Sequence, residues 1–278
     1  MYGLIGCRAH DYGKASMSGL AAKIKADGYL TMQLALKKSL PEVDDLKNFL
    51  SEKNADDIAK CLHDAGLEVS VLGAYLNYAG LDDSIRDENI EVLKGHIKIA
   101  KSMGARMVGT ETGSLNDDYS VHNDNPSELA FERFKDALLK VLPLVESEDT
   151  YLAVEAVSHH VIHTPSRMFR LIQEIHNERL KVIFDISNLM TWDNYKEQDQ
   201  LMKEMFELME EQIWVVHVKD FDFVDTKKVI VPLGAGRLNV ELLLELVKKS
   251  SSKVDVIAED VSKQMLQATY LKLKTYME

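Results

Sequence analysis

The 278-residue sequence contains only two cysteines, Cys7 and Cys61, and they lie far apart along the chain. That number and spacing provide neither a disulfide framework nor a zinc ribbon, and they are typical of proteins in a reducing compartment. The sequence also lacks any run of about 18 apolar residues, and its start lacks a basic lead followed by an apolar segment. We therefore expect a cytoplasmic protein that is neither exported nor inserted into a membrane.

Basic residues are in the minority, with 33 Lys and Arg against 45 Asp and Glu and a formal net charge of −12. A chain with this charge repels a phosphate backbone, so no nucleic-acid partner is expected. Hydrophobic residues make up 46% and charged residues 28%, which is a globular balance with ample material for a core. No linker or low-complexity tract interrupts the sequence, and we predict one domain over residues 1–278.

A glycine-rich phosphate loop is missing as well, because GCRAHDYG after the first strand candidate matches neither nucleotide-binding pattern. This absence argues against a doubly wound open sheet. The sequence instead alternates short apolar segments with longer segments of helical period. The eight strand candidates begin at residues 2, 29, 67, 105, 150, 180, 213 and 254. Their nearly continuous apolar character is typical of parallel strands covered on both faces, and eight β-then-α units predict a (β/α)8 TIM barrel.

Capping signals support the helices between these strands. Asn125-Pro126 and Thr164-Pro165 each resemble a helix cap followed by proline at the first helical position. The polar segment 113–126 is the longest irregular stretch, and we predict that it forms a loop beside the active face. Glycine follows three of the helical segments, where a left-handed helix end favours it, at Gly28, Gly66 and Gly104.

Polar residues stand at the carboxyl ends of four successive strand candidates. In a TIM barrel these ends surround one shared mouth, so the side chains converge. A lone histidine or carboxylate at such a place is usually a hydrogen-bonded core residue or a cap. Three carboxylates brought together with an imidazole repel one another and are costly to bury unless a cation compensates them. The set predicts a site for one divalent ion, such as Mn²⁺, Co²⁺, Mg²⁺ or Zn²⁺. These residues, called the polar quartet below, are Glu155, Asp185, His217 and Glu259.

Four short motifs, VIFDISN, VVHVKDF, VPLGAGRLN and the terminal VIAED, resemble the sugar isomerase and epimerase family with a xylose-isomerase-like barrel, which includes endonuclease IV. The resemblance runs in order over the whole chain and implies that the polar quartet holds one divalent metal. It further implies a metal-dependent isomerase or epimerase of a small sugar or sugar phosphate. In such an enzyme the metal polarises a carbonyl and stabilises the enediolate left by proton removal. Glu155 and Glu259 would be ligands and also the base and acid that carry the proton.

Further residues near the same strand ends are candidates for substrate binding: Lys219, Asn188, His10, Arg237 and Glu111. Lys219 follows His217 by two residues, points to the same side, and either binds a substrate hydroxyl or phosphate or is an exposed loop lysine. Arg237 lies in a glycine-containing loop and either meets an anionic substrate or is a surface arginine. Asp220 either orients a ligand or caps a turn.

Asn188 stands where many members of the resembled family carry a histidine that contacts substrate or a second metal. An endonuclease IV-like nuclease would need that histidine for a three-metal cluster, together with a surface for DNA. A dehydratase of the inosose or dehydroshikimate type is a closer alternative, since it begins with the same proton removal. A barrel that binds a sugar without catalysis is a third. Related barrels often form dimers or tetramers, so a homo-oligomer is compatible with the sequence.

Overall fold

Eight parallel strands close into a barrel in this protein, whose structure, a computed structural model, describes residues 3–278. The order around the barrel is β1-β10-β7-β6-β5-β4-β3-β2, and β8 and β9 form a separate antiparallel pair. The strands are β1 (Ile5–Arg8), β2 (Thr31–Leu34), β3 (Glu68–Gly73), β4 (Ala105–Glu111), β5 (Leu152–Glu155), β6 (Leu180–Phe184), β7 (Ile213–Val218), β8 (Phe221–Val224), β9 (Lys227–Ile230) and β10 (Asp255–Ala258). The predicted barrel is confirmed. The first strand candidate began at Tyr2, which lies outside the described residues.

Helices fill most of the chain between the barrel strands. They are α1 (Met17–Ala26), α2 (Leu36–Ser39), α3 (Leu46–Phe49), α4 (Glu52–Ala65), α5 (Asp83–Ala100), α6 (Glu128–Ser147), α7 (Pro165–Ile175), α8 (Ile186–Leu189), α9 (Gln198–Met209), α10 (Val240–Lys249) and α11 (Leu266–Met277). The segment 113–126 contains neither helix nor strand, as predicted. Within residues 3–278, no helix combines the length and the apolar character needed to cross a bilayer.

The barrel strands are buried on both faces. Their outward residues pack beneath the helices, whereas inward residues form a separate apolar layer that fills the barrel. This inner layer consists of Val71, Met107, Ala153, Ile183, Val215 and Ile257. Because side chains alternate along a strand, the next inward position towards the carboxyl end lies two residues further on. The inner layer therefore supports whatever side chains face the mouth above it.

Several helix ends follow the sequence signals. Thr164 precedes α7, its Oγ1 accepts a hydrogen bond from Arg167 N at 3.2 Å, and Pro165 is the first helical residue. The predicted cap at this position is confirmed. The three glycines after helical segments have φ of +99°, +65° and +73°, the left-handed region expected of them, at Gly28, Gly66 and Gly104.

The predicted cap at Asn125-Pro126 is wrong. Helix α6 begins at Glu128, and Ser127 is its cap, with Oγ accepting a hydrogen bond from Ala130 N at 3.3 Å. Asn125 is buried instead, and its Oδ1 accepts a hydrogen bond from Leu115 N at 2.9 Å. Both Asn and Ser are good caps, so local sequence did not distinguish them. The folded loop decided, because it buries the asparagine.

The hairpin formed by β8 and β9 was not predicted, although FDFV and KKVI flank the turn residues Asp225 and Thr226, whose φ values are +48° and +69°. Asp220 holds the base of this hairpin. Its carboxylate accepts hydrogen bonds of 2.7 to 3.0 Å from four backbone N–H groups, those of Phe221, Gly234, Gly236 and Leu238. A Cβ on Gly236 would lie 2.4 Å from Asp220 Oδ1, so the loop requires glycine there. Of its two proposed roles, Asp220 therefore fills the capping one.

An ion pair is buried at the amino end of the barrel, opposite the mouth. Asp255, 3% exposed, lies on the inner side of β10. Its carboxylate accepts hydrogen bonds from Leu4 N at 2.8 Å, Ser70 Oγ at 2.7 Å and Arg106 Nη1 at 2.9 Å. These contacts join strands that are distant in sequence, so they stabilise closure of the barrel.

Replacing Asp255 by Ala should lower the free energy of unfolding by roughly 3 kcal/mol, because three donors lose their partner and Arg106 loses its counter-charge. Urea denaturation followed by circular dichroism measures the change. Asp57→Ala is the matched control, since Asp57 is exposed and pairs with the exposed Lys53, and its unfolding midpoint should hardly move. Equal midpoints for the two variants would contradict the assignment.

Candidate functional site

Each member of the polar quartet is the inward residue that follows the apolar layer on its own strand. The pairs, each two residues apart, are Ala153 and Glu155, Ile183 and Asp185, Val215 and His217, and Ile257 and Glu259. Strands β5, β6, β7 and β10 are consecutive neighbours in the barrel. Alternation of side chains therefore delivers the four polar groups to one side of the mouth. The structure brings together all four residues singled out from the sequence.

The polar quartet is compact and buried. One ligand atom from each residue lies within 4.8 Å of the other three. His217 Nδ1 is 2.7 Å from Glu259 Oε2 and 3.3 Å from Glu155 Oε1. Neither Asp185 Oδ2 nor Glu259 Oε2 receives a well-directed hydrogen bond within residues 3–278, so both retain lone pairs for an ion. Carboxylate oxygens with one imidazole suit divalent ions of the Mg²⁺, Mn²⁺ and Zn²⁺ kind, and this donor set can bind one.

The charges of the polar quartet are strongly interdependent. Burial disfavours a charged imidazole, but the Glu259 and Glu155 carboxylates outweigh it and hold the pKa of His217 well above its ordinary value. Burial alone would raise the pKa of Glu259, yet the positive charges of His217 and Lys219 hold it well below the usual range. Burial raises the pKa of Asp185 to about 6 against the opposing charge of Lys219. A proton on His217 thus occupies a ligand nitrogen that a metal ion would need.

Arg8 is a residue of the site that sequence analysis missed. It ends β1, and its Nη1 donates a hydrogen bond to Glu259 Oε1 at 2.8 Å. The same guanidinium pairs with Asp11 at 2.8 Å and also with Asp260. The signal in the sequence was weak, since Arg8 is a single charged residue directly after the apolar segment YGLIGC. Its positive charge offsets part of the negative charge of these carboxylates.

Lys219 and Asn188 connect three strands of the site. Lys219, 6% exposed, places Nζ 2.9 Å from Asp185 Oδ2 and donates a hydrogen bond to Asn188 Oδ1 at 2.9 Å. Asn188 Nδ2 in turn donates to Glu155 Oε1 at 2.7 Å. Because Lys219 is buried, it is not the exposed loop lysine that the sequence also allowed. The amide of Asn188 therefore orients Glu155 and links it to the ammonium group.

Glu111 approaches from the end of β4, beside Glu155 on β5. Its Oε2 accepts a hydrogen bond from Tyr119 at 3.2 Å and lies 3.6 Å from His160 Nδ1. Burial, followed by the charges of Glu155 and Glu259, raises the pKa of Glu111 to about 7. Tyr119 belongs to the loop 113–126, which places that loop beside the site. Glu111 adds a fourth carboxylate to the mouth.

The other two substrate-binding candidates, His10 and Arg237, lie at the edges of the barrel mouth. His10 is part of a 3-10 turn after β1, and burial, then the charge of Arg8, lowers its pKa to about 4. Arg237 is exposed, donates a hydrogen bond from Nε to Asp222 Oδ1 at 2.5 Å, and stacks 5.0 Å from the Tyr195 ring centroid. No contact between Arg237 and the polar quartet occurs in the described part of the chain. Substrate binding by either residue stays a prediction.

The family comparison agrees with this barrel. A family described as xylose isomerase-like TIM barrel matches residues 21–271, which is most of the chain. The chain belongs to this family. The match was expected from the motifs at the ends of β6, β7 and β10, which carry three members of the polar quartet.

Individual members of the xylose isomerase-like family resemble the chain at low identity. L-ribulose-5-phosphate 3-epimerase UlaE of Salmonella typhimurium is 24% identical over 172 residues, or 61% of this chain and 55% of that protein. The match thus spans little more than half of that relative. A D-tagatose 3-epimerase-like protein superimposes with a TM-score of 0.78 at 17% identity, covering 99% of this chain and 97% of the other. The IolI protein, solved with a zinc atom, superimposes at 0.70 and 14% identity over 99% and 98%. These structural likenesses show the shared fold.

Addition of Mn²⁺ to the chelator-treated protein should raise its melting temperature, by the equivalent of about 2.7 kcal/mol when the ion is at 100 times its Kd. Because the ion needs a neutral imidazole and the pKa of His217 is raised, the affinity should fall as pH decreases. Thermal unfolding at several metal concentrations and pH values measures both effects. Asp185→Asn should remove the response, whereas Asp222→Asn, outside the polar quartet, should retain it. An undiminished response in the first variant would exclude this site.

Proposed function

We propose that this protein is a divalent-metal-dependent isomerase or epimerase of a small sugar or sugar phosphate. The observation that carries the proposal is the compact burial of three carboxylates and one imidazole at the mouth of the barrel, with one ligand atom of each inside 4.8 Å. The names of the relatives support it, since one is a sugar phosphate 3-epimerase and another a sugar 3-epimerase-like protein. The proposed substrate class is therefore a small sugar or sugar phosphate.

A divalent ion in the polar quartet would supply Lewis-acid polarisation of the substrate's carbonyl and adjacent hydroxyl. The chain's own part is proton transfer at the neighbouring carbon, with the substrate passing through an enediolate. Glu155 and Glu259 stand on β5 and β10, three strand positions apart, so their carboxylates approach the substrate from different directions. One removes the proton and the other returns it.

The remaining groups would position these two carboxylates. Asn188 holds Glu155 through Oε1, and Arg8 holds Glu259 through Oε1, each with one short hydrogen bond. The carboxylates therefore keep fixed orientations, which proton transfer requires because the donor and acceptor must stay within hydrogen-bond reach. Lys219 lies between Asp185 and Asn188 and would place its ammonium group beside a substrate oxygen.

Replacing Glu155 by Gln should leave the fold intact and reduce exchange of solvent deuterium into a ketose by a factor of roughly 100 or more, because the base is lost. Mass spectrometry of a panel of ketoses, aldoses and their phosphates, incubated with Mn²⁺ in deuterium oxide, measures the exchange. Glu178→Gln is the control, since Glu178 is exposed just before β6 at the amino end of the barrel.

Product analysis in the same panel distinguishes the reaction classes. An epimerase or isomerase returns a sugar of unchanged mass apart from deuterium. A dehydratase of the inosose or dehydroshikimate type, which shares the proton removal, returns a product lighter by one water. Undiminished deuterium exchange in the Glu155→Gln variant would remove that residue from the mechanism.

A further inference from the structure

Tyr75, two residues beyond the end of β3, lies inside the barrel mouth because two glycines make room for it. A Cβ on Gly73 would lie 2.6 Å from Tyr75 Cε2, so the ring packs directly against the backbone at the end of β3. A Cβ on Gly109 would point at the tyrosine hydroxyl from 3.8 Å. Gly109 faces the barrel interior, since the same Cβ would meet the inner-layer residues Val71 and Ile183. The hydroxyl therefore lies above the inner layer, next to β4.

The Tyr75 hydroxyl is buried and has no hydrogen-bond partner in the described residues. Glu111 follows Gly109 by two residues on β4 and faces the same way, so its side chain enters the mouth at the next inward position beyond this hydroxyl. Burial, followed by the charges of Glu155, Glu259 and Glu111, raises the pKa of Tyr75. The hydroxyl consequently stays protonated and is a donor. Buried polar groups normally have partners, and an unpaired donor facing a binding site points to a ligand that supplies one.

Glu111 provides a hydrogen-bond acceptor, Oε1, on the same side of the mouth as the Tyr75 hydroxyl. Its Oε2 is engaged by Tyr119, whereas no hydrogen bond reaches its Oε1 within residues 3–278. In the barrel order, β3 is four positions from β7, and β4 is four positions from β10. Tyr75 and Glu111 therefore face His217 and Glu259 across the mouth. A substrate held at the polar quartet extends its chain towards this donor and acceptor.

The charge at this second place favours a neutral group. A hydroxyl donor beside a carboxylate acceptor matches a substrate hydroxyl, which donates and accepts one hydrogen bond each. Burial raises the pKa of Glu111 to about 7, so above that pH its carboxylate is charged and repels a phosphate, which carries almost two negative charges. Arg8 and Lys219 are already bonded to carboxylates of the site. Lys38 is a further cation near Tyr75; it is exposed and has Nζ 5.7 Å from the Tyr75 ring centroid.

We propose that Tyr75 and Glu111 form a hydroxyl-binding subsite that selects a sugar whose far end carries a free hydroxyl over the corresponding phosphate ester. This inference rests on the proposed function, because it assumes that the polar quartet holds the reacting end of a sugar. The substrate that it predicts differs from that of the Salmonella relative, whose name specifies a phosphorylated sugar. Tyr75 and Glu111 are specificity-determining residues in this scheme and take no part in proton transfer.

Binding of unreactive polyols tests the subsite without requiring any catalysis. Calorimetry at a pH above 8, where Glu111 is ionised, in the presence and absence of Mn²⁺ gives the Kd of xylitol and of xylitol 5-phosphate for the unmodified protein, for Tyr75→Phe and for Glu111→Gln. Loss of one hydrogen bond to a neutral group should weaken xylitol binding roughly 2- to 12-fold in Tyr75→Phe. The unmodified protein should prefer xylitol to its phosphate, and Glu111→Gln should narrow that preference by about tenfold.

Tyr78→Phe is the matched control, since the Tyr78 hydroxyl is also buried but donates a hydrogen bond to Ala74 O at 2.7 Å. The two tyrosine variants should behave in opposite ways. Tyr75→Phe should keep the melting temperature and lose affinity, because its hydroxyl has no hydrogen-bond partner among residues 3–278. Tyr78→Phe should lose melting temperature and keep affinity. A merely structural role for Tyr75 would lower the melting temperature without changing Kd.

Three results would overturn the proposal: no binding of xylitol to the unmodified protein, equal affinity in Tyr75→Phe, or tighter binding of the phosphate ester that Lys38→Gln abolishes. The last would assign the far end of the substrate to a phosphate held by Lys38. Failure of the proposed isomerase activity would appear elsewhere, as absence of deuterium exchange in all sugars. Polyol affinities and their response to Tyr75→Phe would still be measured in that case.

Discussion

The gathering of negative charge at the mouth of the barrel is the constraint on which the rest of the site depends. The three carboxylates of the polar quartet are buried, and the partly exposed Glu111 adds a fourth beside them. In such surroundings an unpaired charge is costly, whereas a hydrogen-bonded ion pair is strong. Arg8 and Lys219 each neutralise part of this charge through a short ion pair. The neutral amide of Asn188 donates a short hydrogen bond to Glu155. A divalent ion is the proposed complement for the remainder.

The period-two geometry of parallel strands explains why this charge can be assembled. Residues that fill the barrel with apolar side chains are followed, two positions later, by residues that face the mouth. The loops above then hold the site in place. Lys228 on the hairpin donates hydrogen bonds to Ser187 O at 2.6 Å and Met190 O at 3.1 Å, at the turn that follows Asp185. Asp220 anchors the base of the hairpin. The hairpin, which was not predicted, therefore supports the segment after Asp185, a residue that was predicted to belong to the site.

Residues at strand ends were easier to predict from the sequence than residues in loops, and the reasons are physical. The polar quartet could be predicted because a polar or charged residue at the end of an apolar strand is costly to bury. Four successive strands that end in this way indicate one shared site. Asn125 and Ser127 offered equivalent caps, and burial of the asparagine chose between them. Arg8 and Tyr75 were missed because arginine or tyrosine beside a strand end is ordinary in a sequence. Their importance comes from partners that are distant along the chain.

The sequence by itself determined the alternation of strands and helices, the barrel that eight such units form, and the strand ends where polar groups collect. These properties follow from local periodicity and from the cost of burying charge, which are both written in the order of residues. Only the tertiary structure decided which groups meet at the mouth: Arg8 with Glu259, and Asn188 with Glu155, whereas the Tyr75 hydroxyl finds no partner in the described part of the chain. Closure of the barrel makes the contact between Arg8 and Glu259, because pairing of β1 with β10 brings the two ends of the sequence within hydrogen-bond distance. The pairing of β5 with β6 makes the contact between Asn188 and Glu155.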